Sequence, residues 1–244
     1  MPTATDIIRS YAAGAAESLA ETLWPTRCAV CDAPGDVLCV PCLRRLSYVD
    51  WWRACPHCGA PFGSVQCSEC NPVSLARSGR TTLPYDGNAS AVVFDEQAAR
   101  IVRTYKDQGE RRLANSMALL MMRAVPPAWN PNALAFVPAS SSARRRRGFD
   151  HGELLARTVA SQLELPLANV FVRPRTRDQR TLSRQARWSN TKGRFEVLPG
   201  ATVPAYILLI DDVYTTGATL FEATDALRRA GAERVWCLTF ARVW

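Results

Sequence analysis

The chain has 244 residues, 48% of them apolar, and a formal net charge of +8. This length can bury a sizeable core, either as one large domain or as a small domain followed by a medium one. No run approaches the roughly 18 apolar residues that a membrane-spanning helix needs, so we expect no membrane span.

The positive charge is concentrated in the second part of the chain. Residues 1 to 75 hold five basic against seven acidic residues, so the excess belongs entirely to residues 76 to 244. A basic domain favours polyanionic ligands such as pyrophosphate, nucleotides or nucleic acid.

Residues 1 to 27 predict an N-terminal segment with a short amphipathic helix over residues 6 to 23, which Pro25 ends. The segment has neither the basic start nor the contiguous apolar core of a signal peptide, so we expect a cytoplasmic protein. Nine cysteines in a reducing compartment then call for an explanation other than disulfides.

Four copies of a Cys-x-x-Cys spacing follow in residues 28 to 75. Two thiolates at this spacing sit on one tight turn, or knuckle, and two knuckles complete a tetrahedral zinc site. The segment therefore predicts a small module with two structural zinc sites, too short to fold without metal. We expect consecutive knuckles to pair, with a cross-braced arrangement as the alternative. The predicted ligands are Cys28, Cys31, Cys39, Cys42, Cys55, Cys58, Cys67 and Cys70.

Residues 76 to 244 predict an α/β domain with a doubly wound, mostly parallel sheet. The expected elements are extended pieces at Arg80–Tyr85 and Ala91–Phe94, helices at Glu96–Tyr105 and Arg111–Ala124, and strands at Ala133–Pro138, Ile207–Ile210 and Arg234–Phe240.

A segment rich in serine and arginine follows the strand that ends at Pro138. We predict a loop between that strand and the next helix, and such a loop can bind an anion. A solvated basic loop is the alternative. The arginines are Arg144, Arg145, Arg146 and Arg147. His151, just beyond them, is interpreted as a helix-start residue in preference to a general base.

The strand Ile207–Ile210 leads into two adjacent carboxylates, Asp211 and Asp212, and then into the turn Thr215–Thr219 and a helix. In an open α/β sheet this order places the turn at the carboxyl end of a strand, where ligands bind. The turn can direct N–H groups and three hydroxyls at a phosphate. The acids would repel that phosphate unless they hold hydroxyls or a metal, and a ribose 5-phosphate offers a diol to the acids and a phosphate to the turn.

The stretch from Ile207 to Leu220 resembles the phosphoribosyl-pyrophosphate (PRPP) signature of the type I phosphoribosyltransferases. In that family the acids contact the ribose hydroxyls and the loop takes the 5-phosphate. The turn Tyr105-Lys106-Asp107 resembles the family's pyrophosphate loop. The resemblance implies Asp211 and Asp212 as catalytic residues, and Thr215, Thr216, Gly217, Ala218, Thr219, Lys106, Asp107 and the four arginines as PRPP-binding residues.

The cysteine module, Val137-Pro138, Arg147-Gly148-Phe149 and Glu153-Leu154-Leu155-Ala156 together resemble the ComF family, the competence-associated branch of phosphoribosyltransferase-like proteins. Where that family usually has Asn-Gln, this chain has Asp150-His151. The resemblance implies PRPP or another ribose phosphate as the ligand, Mg²⁺ carried in with it, and displacement of pyrophosphate at ribose C1. It also implies DNA uptake, with DNA-uptake proteins as partners.

The alternative is a non-catalytic protein that binds nucleotides or single-stranded DNA during transformation or DNA processing. The basic segment Arg173–Arg194 fits both interpretations. It predicts either a mobile loop that closes over the reacting ribose or an open surface for single-stranded DNA.

Overall fold

The structure is a computed structural model that describes residues 25–76, 79–174, 193 and 195–244. The helix expected over residues 6 to 23 and most of the basic segment Arg173–Arg194 lie outside these residues. The chain divides into two units, Met1–Arg45 and Leu46–Trp244. This division separates the first four cysteines from the second four. The domain boundary predicted at residue 75 stays a prediction.

The described part of the smaller unit is built from tight turns and one short helix. An antiparallel bridge joins Arg27 and Pro34, and the Cys28 N–H donates to the Ala33 carbonyl at 2.9 Å. Helix α1 spans Val40–Arg44, with a proline in its first turn. Proline suits that position because the N–H it lacks would have no partner inside the helix.

The larger unit contains a four-stranded sheet in which every pairing is parallel. Its strands are β1 (Gly87–Val93), β2 (Ala133–Phe136), β3 (Tyr206–Tyr214) and β4 (Arg234–Arg242). The strand order is β1-β4-β3-β2, so the two strands that come last in the chain lie in the middle. The predicted α/β class with a parallel sheet is confirmed.

Helices cover both faces of this sheet. Those described in the larger unit are α2 (Pro72–Ala76), α3 (Glu96–Lys106), α4 (Leu113–Ala124), α5 (Ser141–Arg147), α6 (His151–Leu163) and α7 (Ala218–Arg229). The bounds of α3 and α4 match the two predicted helices within two residues.

The residues Ile207 to Ile210 explain why helices cover both faces of the sheet. All four are fully buried, and side chains alternate between the faces of a strand. Ile207 and Leu209 pack in one core cluster with side chains of α7. The other face of the sheet lies against α4 and α6. A continuous apolar run is what a strand buried on both faces requires.

Only one of the two predicted extended pieces, Ala91–Phe94, overlaps a strand. β1 begins at Gly87, and Arg80–Tyr85 is not a strand. Pro84 lies in that segment and has no N–H for a sheet ladder, which explains why the pairing starts after it. Similarly, β2 ends at Phe136, two residues before Pro138.

The arginine run forms a helix and not the predicted loop. The Ser140 side chain accepts the Ala143 N–H at the start of α5, and Gly148, at φ +76°, ends the helix. A capping serine at one end and a left-handed glycine at the other are the usual helix boundaries. In the part of the chain that the structure describes, no helix is long and apolar enough to cross a membrane.

Replacing Leu209 by alanine should destabilise the larger unit by about 2 to 5 kcal/mol, because it leaves a cavity at a fully buried position. Urea unfolding followed by circular dichroism would measure the change. The matched control is Leu119→Ala, since Leu119 is 56% exposed on α4. It should cost no more than about 0.5 kcal/mol. Equal losses in the two variants would contradict the assigned core.

Candidate functional site

Asp211 and Asp212 lie inside β3, which runs four residues beyond the strand end predicted at Ile210. Asp211 pairs with Thr239 of β4, so both acids belong to the ladder. The Asp212 N–H donates to Asp211 Oδ1 at 2.9 Å, and the two carboxyl groups also interact with each other. Both acids are almost completely buried. A buried carboxylate is costly unless it is paired, hydrogen-bonded or protonated.

Asp212 is paired with two residues from other elements. Its Oδ2 lies 2.5 Å from Lys106 Nζ and 3.9 Å from His151 Nε2. Lys106 is the last residue of α3, and His151 is the first residue of α6. The end of one helix and the start of another therefore meet at β3, on the face that Asp212 occupies.

The pKa values of the two acids are shifted in opposite directions. Burial alone would raise the pKa of Asp212, but the Lys106 ammonium and then His151 hold it below its usual range. Burial, and then the charge of Asp212, raise the pKa of Asp211 well above its usual 3.8. Ionisation of Asp212 is therefore favoured over ionisation of Asp211, and Lys106 supplies the counter-charge.

A second pair continues these contacts. Arg147 Nε lies 3.6 Å from Asp107 Oδ1, and the arginine side chain is only 4% exposed. Arg147 Nη1 also lies 3.3 Å from His151 Nδ1. We call Lys106, Asp107, Arg147, His151 and Asp212 the charged cluster.

Asp150 fixes the position of His151, and the sequence did not predict this. One Asp150 oxygen accepts the N–H groups of Gly152 and Glu153, at 3.0 and 3.2 Å, which caps α6. The other oxygen accepts a hydrogen bond from the Ala139 N–H at 3.1 Å and forms an ion pair with Arg173. An aspartate ahead of a helical pattern is a capping signal. No local signal indicates the partners Ala139 and Arg173.

Tyr105 gives His151 a second support. The buried Tyr105 hydroxyl donates to the His151 carbonyl at 2.6 Å. The same tyrosine packs edge-on against Phe149, with ring centroids 5.9 Å apart. His151 is thus the helix-start residue that we expected, and its ring also belongs to the charged cluster.

The turn after β3 depends on Gly217. This residue has φ +78°, and a Cβ built on it would lie 2.4 Å from the Tyr214 hydroxyl oxygen. Only glycine fits a backbone that is both left-handed and this close to a ring. Helix α7 then starts at Ala218, whose N–H donates to Thr216 Oγ1 at 3.4 Å. This 12-residue helix thus starts six residues after Asp212.

The structure brings together many of the predicted site residues. Lys106, Asp107, Arg147 and Asp212 lie in the charged cluster, and Asp211 is next to it in the strand. Arg144 to Arg146 are instead exposed on α5, outside the contacts of the cluster described above. The predicted role of each of these residues stays a prediction.

Each group of four cysteines has the geometry of a metal site. Within each group the four sulfur atoms lie within 4.8 Å of one another. Neighbouring sulfurs are 3.6 Å apart for Cys31 and Cys39, and 3.5 Å apart for Cys58 and Cys67. A tetrahedral zinc with bonds of about 2.3 Å separates its sulfurs by about 3.8 Å. Both groups can therefore hold a metal ion, and consecutive knuckles combine as expected.

Asp211→Asn and Asp212→Asn should change stability in opposite directions at pH 7. The folded pKa of Asp212 lies below its unfolded value, so Asp212 stabilises the fold above about pH 4. The folded pKa of Asp211 lies above its unfolded value, so Asp211 costs stability as pH rises through the same range. Thermal unfolding should show a higher Tm for Asp211→Asn and a lower Tm for Asp212→Asn.

The loss for Asp212→Asn should be about 3 kcal/mol, because Lys106 loses its buried partner. The gain for Asp211→Asn should shrink as the pH is lowered through 4, because the carboxyl of the unfolded wild-type chain becomes protonated there as well. A similar loss of Tm in both variants would contradict the assigned charge states.

Comparison with known proteins agrees with this fold. Residues 150–243 match the family model described as "Phosphoribosyl transferase domain". Among solved structures, orotate phosphoribosyltransferase from Aeropyrum pernix aligns with 17% identity and a TM-score of 0.33, over 63% of this chain and 80% of that one. Adenine phosphoribosyltransferase from Leishmania donovani aligns with 16% identity and a TM-score of 0.32, over 55% and 53%. TM-scores this low support no residue correspondence.

Three relatives match most of the chain. Competence protein F of Haemophilus influenzae is 26% identical, over 84% of this chain and 90% of that protein. "DNA utilization protein YhgH" of Salmonella typhi is 29% identical, over 75% and 82%. Competence protein ComFC of Bacillus subtilis is 26% identical, over 86% and 85%. With the parallel sheet and the domain match, they confirm the predicted resemblance: the chain is a homologue of competence proteins F and ComFC and carries a phosphoribosyltransferase-like domain.

Proposed function

We propose that the chain binds PRPP or a related ribose phosphate where β3 meets the turn Thr215–Thr219, and displaces pyrophosphate from C1 of the ribose. The observation that carries this proposal is the ion pair between Lys106 and Asp212. Burying two opposite charges seldom stabilises a fold more than an apolar pair would. Perturbed, paired charges at the edge of a sheet are typical of a functional site.

The acid pair suits a diol. Asp211, with its raised pKa, can donate a hydrogen bond to one ribose hydroxyl, while the ionised Asp212 can accept one from the other. Because Lys106 is paired with Asp212, the acids repel a phosphate on the turn less than two free carboxylates would.

The charged cluster suits a pyrophosphate. Lys106 and Arg147 are both held by acids, Asp212 and Asp107 respectively. A pyrophosphate could take the place of either acid beside its cation, so that the cation keeps an anionic partner. Exchange at Lys106 would also release Asp212 to the ribose. Mg²⁺ bound to the pyrophosphate would neutralise part of its negative charge.

The reaction implied by this arrangement needs no covalent nucleophile. The bond from C1 to the pyrophosphate oxygen breaks and a bond from C1 to a nitrogen nucleophile forms, through an oxocarbenium-like transition state. Pyrophosphate leaves with the bonding electrons, and the nitrogen gives up its proton. The contribution of the chain would be to hold ribose and pyrophosphate in line and to neutralise the charge that develops on the leaving group. Asp211, Asp212 and the turn hold one end of the ligand, and Lys106 with Arg147 holds the other.

We further propose that both cysteine groups bind structural zinc. All four ligands are cysteines in each group, so each site is closed and has no position for substrate. The zinc ions would stabilise the fold, and the reaction would take place where β3 meets the turn Thr215–Thr219.

Isothermal titration of the zinc-loaded protein with PRPP and Mg²⁺ tests the binding, and pyrophosphate release with added purine and pyrimidine bases tests turnover. Lys106→Met should weaken PRPP binding about tenfold or more, because a charged hydrogen-bond donor to pyrophosphate is lost. The matched control is Arg103→Met, a basic residue exposed one turn earlier on α3, which should bind as wild type does. Wild-type affinity in Lys106→Met would refute the pyrophosphate assignment.

Single-stranded DNA is a second candidate ligand, because Arg144 to Arg146 lie exposed on α5, close in sequence to the charged cluster. The YhgH relatives are also named for DNA utilization. DNA affinity should then fall with salt, and Arg144→Gln with Arg145→Gln should reduce the slope of log K against log salt by about 1.4.

The control for this experiment is Arg229→Gln with Arg234→Gln. Both residues are exposed, at the end of α7 and the start of β4. They therefore lie at the amino ends of the parallel strands, whereas α5 follows the carboxyl end of β2. An oligonucleotide titration between 50 and 200 mM salt would give both slopes. DNA binding that is absent or independent of salt would remove this candidate.

A further inference from the structure

Arg242 is the last residue of β4, and it is completely buried. It pairs in the ladder with Tyr214, the last residue of β3, and its guanidinium lies over the Tyr214 ring at 4.1 Å from the centroid. A buried guanidinium must be held by acceptors, since it cannot lose its proton. Its partners therefore show what it positions.

One side of Arg242 holds the second cysteine group. Nη1 donates to the Cys58 carbonyl at 2.6 Å, and Nη2 donates to Glu69 Oε2 at 2.8 Å. The Glu69 N–H in turn points at Cys67 Sγ, at 3.4 Å. Cys58 belongs to one knuckle and Glu69 to the other, so a single arginine contacts both halves of this metal site.

The other side of Arg242 holds the turn after β3. The ring under its guanidinium, that of Tyr214, is the one against which Gly217 rests, with no room for a Cβ between them. The Tyr214 hydroxyl is 3.2 Å from that of Tyr85, and Tyr85 packs edge-on against Phe221 of α7. The first turn of α7 and the glycine before it therefore rest on the ring that Arg242 holds.

We propose that Arg242 is a positioning residue through which the second zinc site holds the turn Thr215–Thr219. Zinc fixes the two knuckles, the knuckles fix the guanidinium, and the guanidinium keeps Tyr214 against Gly217. The consequence for phosphate binding rests on the function proposed above. The mechanical link rests on the zinc proposed for the second cysteine group but not on PRPP binding, because every contact in it lies within the larger unit and none involves PRPP.

A buried arginine of purely structural importance would give a different result. Its loss would loosen the whole larger unit evenly, whereas a positioning role predicts a change confined to the turn. Arg228 provides the comparison. It is also held by acceptors, among them Asp86 Oδ2 at 2.5 Å. It lies near the start of β4, at the amino ends of the strands, whereas Arg242 lies at the carboxyl end of β4.

Hydrogen exchange by mass spectrometry on the zinc-loaded, ligand-free chain tests the proposal. Backbone amides of residues 215 to 221 should exchange about tenfold faster in Arg242→Gln than in wild type, while Arg228→Gln leaves them unchanged. Amides of β2, at the far edge of the sheet, serve as the reference and should keep their protection. An unchanged turn, or an equal rise in β2, would overturn the proposal.

A second comparison removes a metal ligand and leaves the arginine in place. Cys67→Ser should speed exchange in the same turn, whereas Cys31→Ser, in the first cysteine group, should not. Zinc content measured on each sample confirms that one ion is lost in each variant. If Arg242→Gln does not fold, this pair decides, and equal exchange in the turn of the two variants would overturn the link.

Titration of the wild-type chain with PRPP separates this proposal from the proposed function. If the chain binds no PRPP while the turn still responds to Arg242→Gln and Cys67→Ser, the function is refuted and the link stands. If PRPP binds and the turn does not respond, the function stands and the link is refuted.

Discussion

A carboxylate buried in a sheet that is covered on both faces cannot be solvated by bulk water. The protein itself must therefore supply the counter-charge. For Asp212 that charge comes from Lys106 at the end of α3, with His151 at the start of α6 close by. The ends of two helices are thereby tied to one point on β3. Tyr105 then holds His151 through its carbonyl, and Asp150 holds the first turn of α6 through the N–H groups of Gly152 and Glu153. The geometry of the site follows from the need to neutralise one buried acid.

The features that could be predicted from the sequence are those encoded within a few residues. The strand before Asp211, the turn with Gly217 and the helix after it form one continuous stretch, and the Cys-x-x-Cys spacing fixes two ligands on one turn. The Lys106–Asp212 contact joins residues 106 positions apart, and nothing local indicates it beyond the family resemblance. The same holds for Arg242, whose partners lie 173 and 184 positions earlier.

The arginine run shows where a local interpretation fails for a physical reason. Serines and a downstream glycine read as a loop, but Ser140 and Gly148 are the two ends of a helix, and arginine is a good helix former between them. On a helix the four arginines cannot all face one way. Arg147 alone among them turns inward to Asp107, while the other three remain exposed. A loop would have allowed all four to reach the same anion.

The strand order β1-β4-β3-β2 has a consequence for synthesis of the chain on the ribosome. β1 and β2 emerge first, yet they do not pair with each other, and each waits for a central strand. Val93 pairs with Arg242, so β1 is fully paired only when β4 has been synthesised. At about 5 to 20 residues per second, the roughly 100 residues after β2 take about 5 to 20 seconds. Throughout that interval the nascent chain exposes apolar strands without partners, which is the situation in which chaperones act.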